Sequence, residues 1–182
     1  MTQAGPAQAL VGHIPDLRRY ARALTGDSWA ADDLVQDTLE RACERWRLWT
    51  AGTDLRAWLF TVMHNIFVDG ARRALRQQAQ RVDVDDVADE LIAPRSSPDH
   101  AIDLQRCLLR LPPDQREVLL LVALEGLGYE QVARITSVPV GTVMSRLSRA
   151  RSRLRELMDG ERTAPAASVT PLRRARVNMD RR

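Results

Sequence analysis

Apolar residues recur every three or four positions through most of the chain, and no stretch alternates apolar and polar residues for long. That periodicity predicts helices and argues against strands. Residues 14–24 form a short amphipathic segment closed by "TGDS" around Gly26. Residues 32–46 follow, with Leu34, Val35, Leu39, Ala42 and Trp46 at helical spacing. After a break at Gly52, residues 55–76 carry Trp58, Leu59, Val62, Ile66 and Phe67 on one side. Trp58, Leu59 and Phe60, bulky and helically spaced, read as core.

The pattern fades over 77–98, which is acidic and holds Pro94 and Pro98. This stretch reads as a linker, with a helical turn near 87–92. Periodicity returns over 99–158. The remainder, 159–182, is rich in Ala, Pro, Thr and Arg and reads as a disordered basic tail. The fold class is therefore all-α: two small helical domains, 10–76 and 99–158, joined by a flexible acidic linker.

The second domain has the sharper signature. Pro112, Pro113 and Asp114 make a helix start, and the apolar run that follows ends at Gly126 and Gly128. A short helix over 129–135, a tight turn at "TSVP" and a longer helix from about Val140 make a helix-turn-helix. At about 100° per residue, Ser145, Arg146, Arg149 and Arg153 fall within about 60° of Thr142. Val143, Leu147, Ala150, Leu154 and Leu157 gather on the neighbouring side. Arg151 and Arg155 lie farther round, where phosphate contact or plain solvation is expected. The long helix thus has one face to bury and another to present to an anion.

Charge sharpens this. All 27 basic residues are arginine, and the net charge is +3. GC-rich coding alone can produce such a skew, so the distribution matters more. From Gly141 onward eleven arginines face four acids, whereas from Arg81 to Asp103 seven acids face two arginines. A polyanion-binding end joined through an acidic connector is the natural reading.

Other chemistry is not expected. Cys43 and Cys107 are far apart, and His13, His64 and His100 have no ligand spacing, so neither a metal site nor a cofactor is expected. No Gly-rich phosphate loop or nucleophile–base pair suggests an enzyme, and no residue is assigned a catalytic role. No basic-then-apolar leader opens the chain, and no membrane span or insertion is expected. A soluble protein of a reducing cytoplasm is the expectation.

The stretch "LPPDQREVLLLVALEGLGYEQVARITSVPVGTVMSRLSRARSRL" closely resembles the promoter-binding C-terminal domain of bacterial sigma factors of the extracytoplasmic-function group. "DLRRYARALTGDSWAADDLVQDTLERACERW" with "LRAWLFTVMHNIFVDGARR" resembles that group's N-terminal domain. The resemblance covers residues 10–158 in the family's order. It implies binding to core RNA polymerase (its beta and beta-prime subunits), promoter recognition and help in opening the DNA. It also implies an anti-sigma factor that clamps both domains.

By that resemblance Asp33, Gln36, Asp37, Glu40 and Arg41 would bind core polymerase. Asn65, Phe67, Asp69, Arg72 and Arg73 would serve the −10 element, with the arginines on backbone phosphates. Thr142, Ser145, Arg146, Arg149 and Arg153 would serve the −35 element. His64 and Met144 depart from the residues expected at their positions. The acidic linker would thread polymerase channels, either imitating nucleic acid or acting as a plain spacer. Two rivals stand beside this reading: a stand-alone helix-turn-helix repressor, and a sigma-like decoy that titrates an anti-sigma factor.

Overall fold

The computed structural model describes residues 6–49, 53–80 and 100–163, and among them there are helices and no strand. The first domain comprises α1 (Pro6–Val11), α2 (Ile14–Thr25), α3 (Ser28–Glu44), a single 3-10 turn (Trp46–Leu48) and α4 (Leu55–Gln80). The second comprises α5 (His100–Leu109), α6 (Pro113–Ala123), α7 (Tyr129–Thr136) and α8 (Val140–Thr163).

Three boundaries differ from the apolar pattern, each for a local reason. α3 starts four residues before Asp32 because Asp27 caps it. Its extended backbone lets the carboxylate accept from Trp29 N at 3.3 Å and Ala30 N at 3.0 Å. α4 continues through 77–80, into the expected linker, because Gln and Ala propagate a helix without needing a buried face. α8 likewise continues through 159–163, into the expected tail. The expected turn near 87–92, the rest of the linker and the tail from 164 lie outside the described residues.

Each domain packs its apolar stripes inward. Leu17, Tyr20, Ala21 and Leu24 of α2 meet Leu34 and Val35 of α3 and Leu59, Phe60 and Met63 of α4. Tyr20 and Phe60 stack edge to face at 5.1 Å, an arrangement that suits the ring quadrupoles. In the second domain Val118 and Leu121, Val132 and Ile135, and Val143, Leu147 and Ala150 close the core. Full burial of each large aliphatic or aromatic side chain contributes about 1.5–3 kcal/mol. The sequence reading of Leu59 and Phe60 as core holds, and Trp58 packs partly buried against them.

The two domains do not simply hang from a connector. α2 packs on α5 and α6, and α4 packs on α7. The contact joins buried apolar residues of both domains into one continuous cluster and adds a polar group around Glu125, in the loop after α6, whose carboxylate is fully covered. Arg19 of α2 forks onto it, Nε to Oε1 at 3.3 Å and Nη2 to Oε2 at 2.9 Å. Arg56 of α4 donates to the same carboxylate through Nη2, to the Glu125 carbonyl at 3.0 Å and to Asp16 at 3.2 Å. The Arg56 guanidinium also lies 5.2 Å from the Phe60 ring centre.

The C-terminal end of α2 is finished by the other domain. A helix leaves its last carbonyls without internal partners. Here Arg116 Nη1 donates to the Leu24 carbonyl at 3.0 Å, and Gln105 Nε2 donates to those of Arg22 and Ala23 at 3.3 Å. Burial lowers the pKa of Arg116. Gly26 ends α2 at φ +76°, and a Cβ there would sit 2.4 Å from Leu109 of α5. Glycine is thus required both by the left-handed turn and by the approach of the second domain.

Two outcomes follow from this packing. Gly26→Ala should cost about 2 kcal/mol or more, since it adds left-handed strain to a collision with Leu109; urea unfolding measures it. Tyr20, fully buried beside Glu117 and Glu125, has its pKa raised well above the ordinary 10.0, chiefly by desolvation. The folded state therefore favours its protonated form. The associated stability is fully present below about pH 10 and is lost as pH rises through the folded pKa. Unfolding free energy measured from pH 8 to 11 should fall less in Tyr20→Phe than in the parent.

Candidate nucleic-acid interface

α8 supplies the most basic surface. Val143, Leu147, Ala150 and Leu157 are buried, so the helix is fixed in rotation about its axis. Arg149 and Arg153 are then exposed, while Thr142, Ser145 and Arg146 are half-buried beside them. Ser145 Oγ donates to the Thr142 carbonyl at 3.0 Å. Arg146 Nε lies 3.0 Å from Asp114 Oδ2 of α6, and Arg153 pairs with Glu156 at 3.3 Å. Arg146 is therefore held in place from a second helix. The turn before α8 passes through Ser137 at φ +54°, the left-handed position that lets α7 and α8 meet closely.

Met144 is 51% exposed, but it does not share this strip. It lines a shallow hollow with Tyr129, Ser148, Arg151 and Arg155, on the side that the sequence assigned to phosphate contact or solvent.

α3 and α4 form a second surface. α3 buries Ala31, Leu34, Val35, Thr38 and Ala42, which leaves Asp33, Gln36, Asp37, Glu40 and Arg41 exposed on its opposite side. Gln36 donates to Glu40 at 3.0 Å, and Arg41 lies 3.8 Å from Glu44. A groove of about 250 Å³ runs between the helices, lined by Asp37, Glu40 and Arg41 on one wall and Asn65, Asp69 and Arg73 on the other. Phe67 is half-buried and packs against the core, whereas Arg72 and Arg73 are exposed. Asp69 steadies both, its carboxylate 4.0 Å from Arg72 and its carbonyl accepting from Arg73 Nε at 3.3 Å.

Residues 10–64 match the family model "Sigma2 domain of PhyR", and residues 101–154 match "Sigma-70, region 4". The chain is 39% identical to the ECF RNA polymerase sigma factor EcfG of Rhodopseudomonas palustris over 156 residues, 82% of each chain. This protein belongs to the extracytoplasmic-function sigma factors. It is also 35% identical to SigM of Mycobacterium tuberculosis, over 80% of this chain and 73% of that one. Its structure resembles that of the sigma factor RpoE of Bartonella quintana, solved with the anti-sigma factor NepR. That match has a TM-score of 0.70 and 37% identity, over 84% of this chain and 96% of the other.

In this sigma factor the structure brings Asp37, Glu40 and Arg41 of α3 and Asn65, Asp69 and Arg73 of α4 onto one groove, although 24 to 36 residues separate them along the chain, while Asp33, Gln36, Phe67 and Arg72 do not line it. The α8 set lies on the other domain, yet Arg146 reaches a cleft of about 570 Å³ that Asn65, Phe67, Asp69 and Arg72 also line. His64 has a different place from either a phosphate contact or a plain surface position. Its Nδ1 is 2.5 Å from Glu117 Oε1 of α6, at the domain contact.

Sequence reasoning missed Trp29. It is 81% exposed on the first turn of α3. With Asp33, Gln36 and Glu40 it stands at positions i, i+4, i+7 and i+11, one continuous stripe. The capping signal at Asp27 would have revealed it. Starting the helix at Asp32 left Trp29 off the face it leads.

Proposed function

We propose that this sigma factor binds core RNA polymerase through the outer face of α3, reads and helps to melt the −10 element with α4, and reads the −35 element with α8. The domain roles are 10–76 for polymerase and the −10 element, and 99–158 for the −35 element. The observation that carries the reading is α8. Its rotation is fixed by buried Val143, Leu147 and Ala150, and that sets Thr142, Ser145, Arg146, Arg149 and Arg153 along one accessible edge. A helix of this width fits the major groove, where an arginine fork pairs with guanine O6 and N7.

The polymerase supplies the bond-making chemistry, and the sigma factor supplies position. Asp33, Gln36, Asp37, Glu40 and Arg41 give a polar docking face, and Trp29 adds the aromatic anchor that such interfaces concentrate their energy on. Asn65 and the half-buried Phe67 support an unpaired base, while Arg72 and Arg73 hold backbone phosphates. Work on promoters places the protein in the cytoplasm. Among the described residues no helix is long and apolar enough to cross a membrane. An anti-sigma factor controls it, as the complex of Bartonella RpoE with NepR suggests.

A second reading is favoured by one observation, the match of residues 10–64 to the sigma2 domain of PhyR. A sigma-like decoy would engage an anti-sigma factor without starting transcription. Reconstituted transcription with core polymerase on a promoter library, with start sites read by sequencing, separates the two. Promoter-specific initiation supports the sigma reading; relief of another sigma factor's inhibition without initiation supports the decoy.

Residue roles make two further outcomes measurable. Arg149→Ala should weaken promoter binding by about 1–3 kcal/mol and relax preference at one base pair of the −35 element. Unchanged preference in the selected library would remove Arg149 from base reading. Trp29→Ala should lower affinity for core polymerase about tenfold or more while leaving the thermal midpoint unchanged, because the ring supports nothing in the fold. Fluorescence titration with core polymerase measures the first quantity and calorimetry the second.

A further inference from the structure

Met144 is exposed on α8, yet it takes no part in the edge assigned to base reading. It is the fifth residue of that helix, within the turns whose side chains reach base edges in a helix-turn-helix. A lone exposed methionine would mean little. This one belongs to a hollow of about 270 Å³ with two unlike halves. Tyr129, Met144 and Leu147 make an apolar half, and Arg151 and Arg155 make a basic one.

Met144, Ser148, Arg151 and Arg155 follow one another at i, i+4, i+7 and i+11, so they form a single stripe along α8. Arg146 and Arg153 are tied to Asp114 and Glu156, whereas among the described residues Arg151 and Arg155 pair with no acid. Two unpaired guanidinium groups therefore adjoin an exposed thioether and an exposed phenol ring.

The position of the hollow decides what it can hold. In a helix-turn-helix the second helix lies in the major groove while the first crosses the backbone. Tyr129 opens α7, the first of the two helices, and Met144 stands near the start of α8, the second. The hollow thus lies where base edges meet one wall of phosphates. Its ligand must be anionic on one side and apolar on the other. Of the base edges in the major groove, thymine alone presents an alkyl group, its C5-methyl. An acidic peptide could share this chemistry, but the hollow is continuous along α8 with Thr142, Ser145 and Arg149, which favours DNA.

Resting on the sigma reading above, we propose that Met144 is a specificity-determining residue. Its thioether, beside the Tyr129 ring, receives the C5-methyl of one thymine of the −35 element, while Arg151 and Arg155 hold phosphates of the adjoining backbone. The contact disfavours cytosine at that place, because an amino donor against an apolar surface loses its water without gaining a partner.

Promoters selected from a randomised library by transcription with core polymerase and the full chain supply the probe. Each thymine of the −35 element is replaced in turn by deoxyuridine, which lacks the C5-methyl and keeps every hydrogen-bonding group. One such replacement should weaken holoenzyme binding about fourfold, the worth of one methyl group moved from water to an apolar contact. Met144→Ala should bind the thymine and deoxyuridine promoters equally, and Met144→Leu should keep the difference. Arg151→Ala should weaken both promoters alike and reduce the salt slope of binding by about one.

A parent protein indifferent to every methyl group, a methyl preference that survives Met144→Ala, or a selected −35 element without thymine on either strand would overturn the proposal. So would a Met144→Ala protein that loses affinity for core polymerase rather than for DNA, since the hollow would then be a protein-docking site. Failure to initiate from any library member removes the sigma reading and this proposal with it. Initiation without methyl dependence removes the proposal alone.

Discussion

A carboxylate buried at a contact between two domains is the constraint around which this molecule is arranged. Glu125 has no water to solvate it, so Arg19 and Arg56 must both remain in reach. Arg56 can do so because α4 begins at Leu55, directly beside Asp54, and because Asp16 and the Phe60 ring hold its guanidinium. Arg19 can do so because Leu17, Tyr20, Ala21 and Leu24 bury the opposite face of α2 and turn it outward. The apolar core of the first domain thereby aims two cations at one anion of the second.

The same logic, a buried stripe setting the direction of a polar one, governs both interaction surfaces. On α3 the buried residues leave a stripe led by Trp29 and continued by Asp33, Gln36 and Glu40. On α8 they leave Arg149 and Arg153 exposed beside Arg146. Arg146 differs from its neighbours because Asp114 fixes it, so its position is set before any partner arrives. Such pre-positioning lowers the ordering cost of a contact.

Polar groups of α6 reach both the first domain and α8. Glu117 and Asp114 lie three residues apart on α6, one against His64 of the first domain and the other against Arg146. A single helix therefore touches both His64 of α4 and Arg146 of α8.

Much of this was legible in the residues. Apolar spacing identified most of the helices, though not α1 or the bounds of α5, because a helix at the surface of a small domain must repeat every three or four residues. The helix-turn-helix and the basic edge of α8 followed from the same spacing, since burial of Val143 and Leu147 dictates where Arg149 points. Trp29 was hidden only by a misplaced helix start. The roles of His64, Glu117 and Glu125 were not legible, because their partners lie 53 to 106 positions away and no local rule connects them. Sequence by itself determined which face each helix buries, because that depends on neighbours three and four residues apart. Only the tertiary structure decided how the two domains meet, because that rests on desolvated charges whose partners are assembled from distant helices.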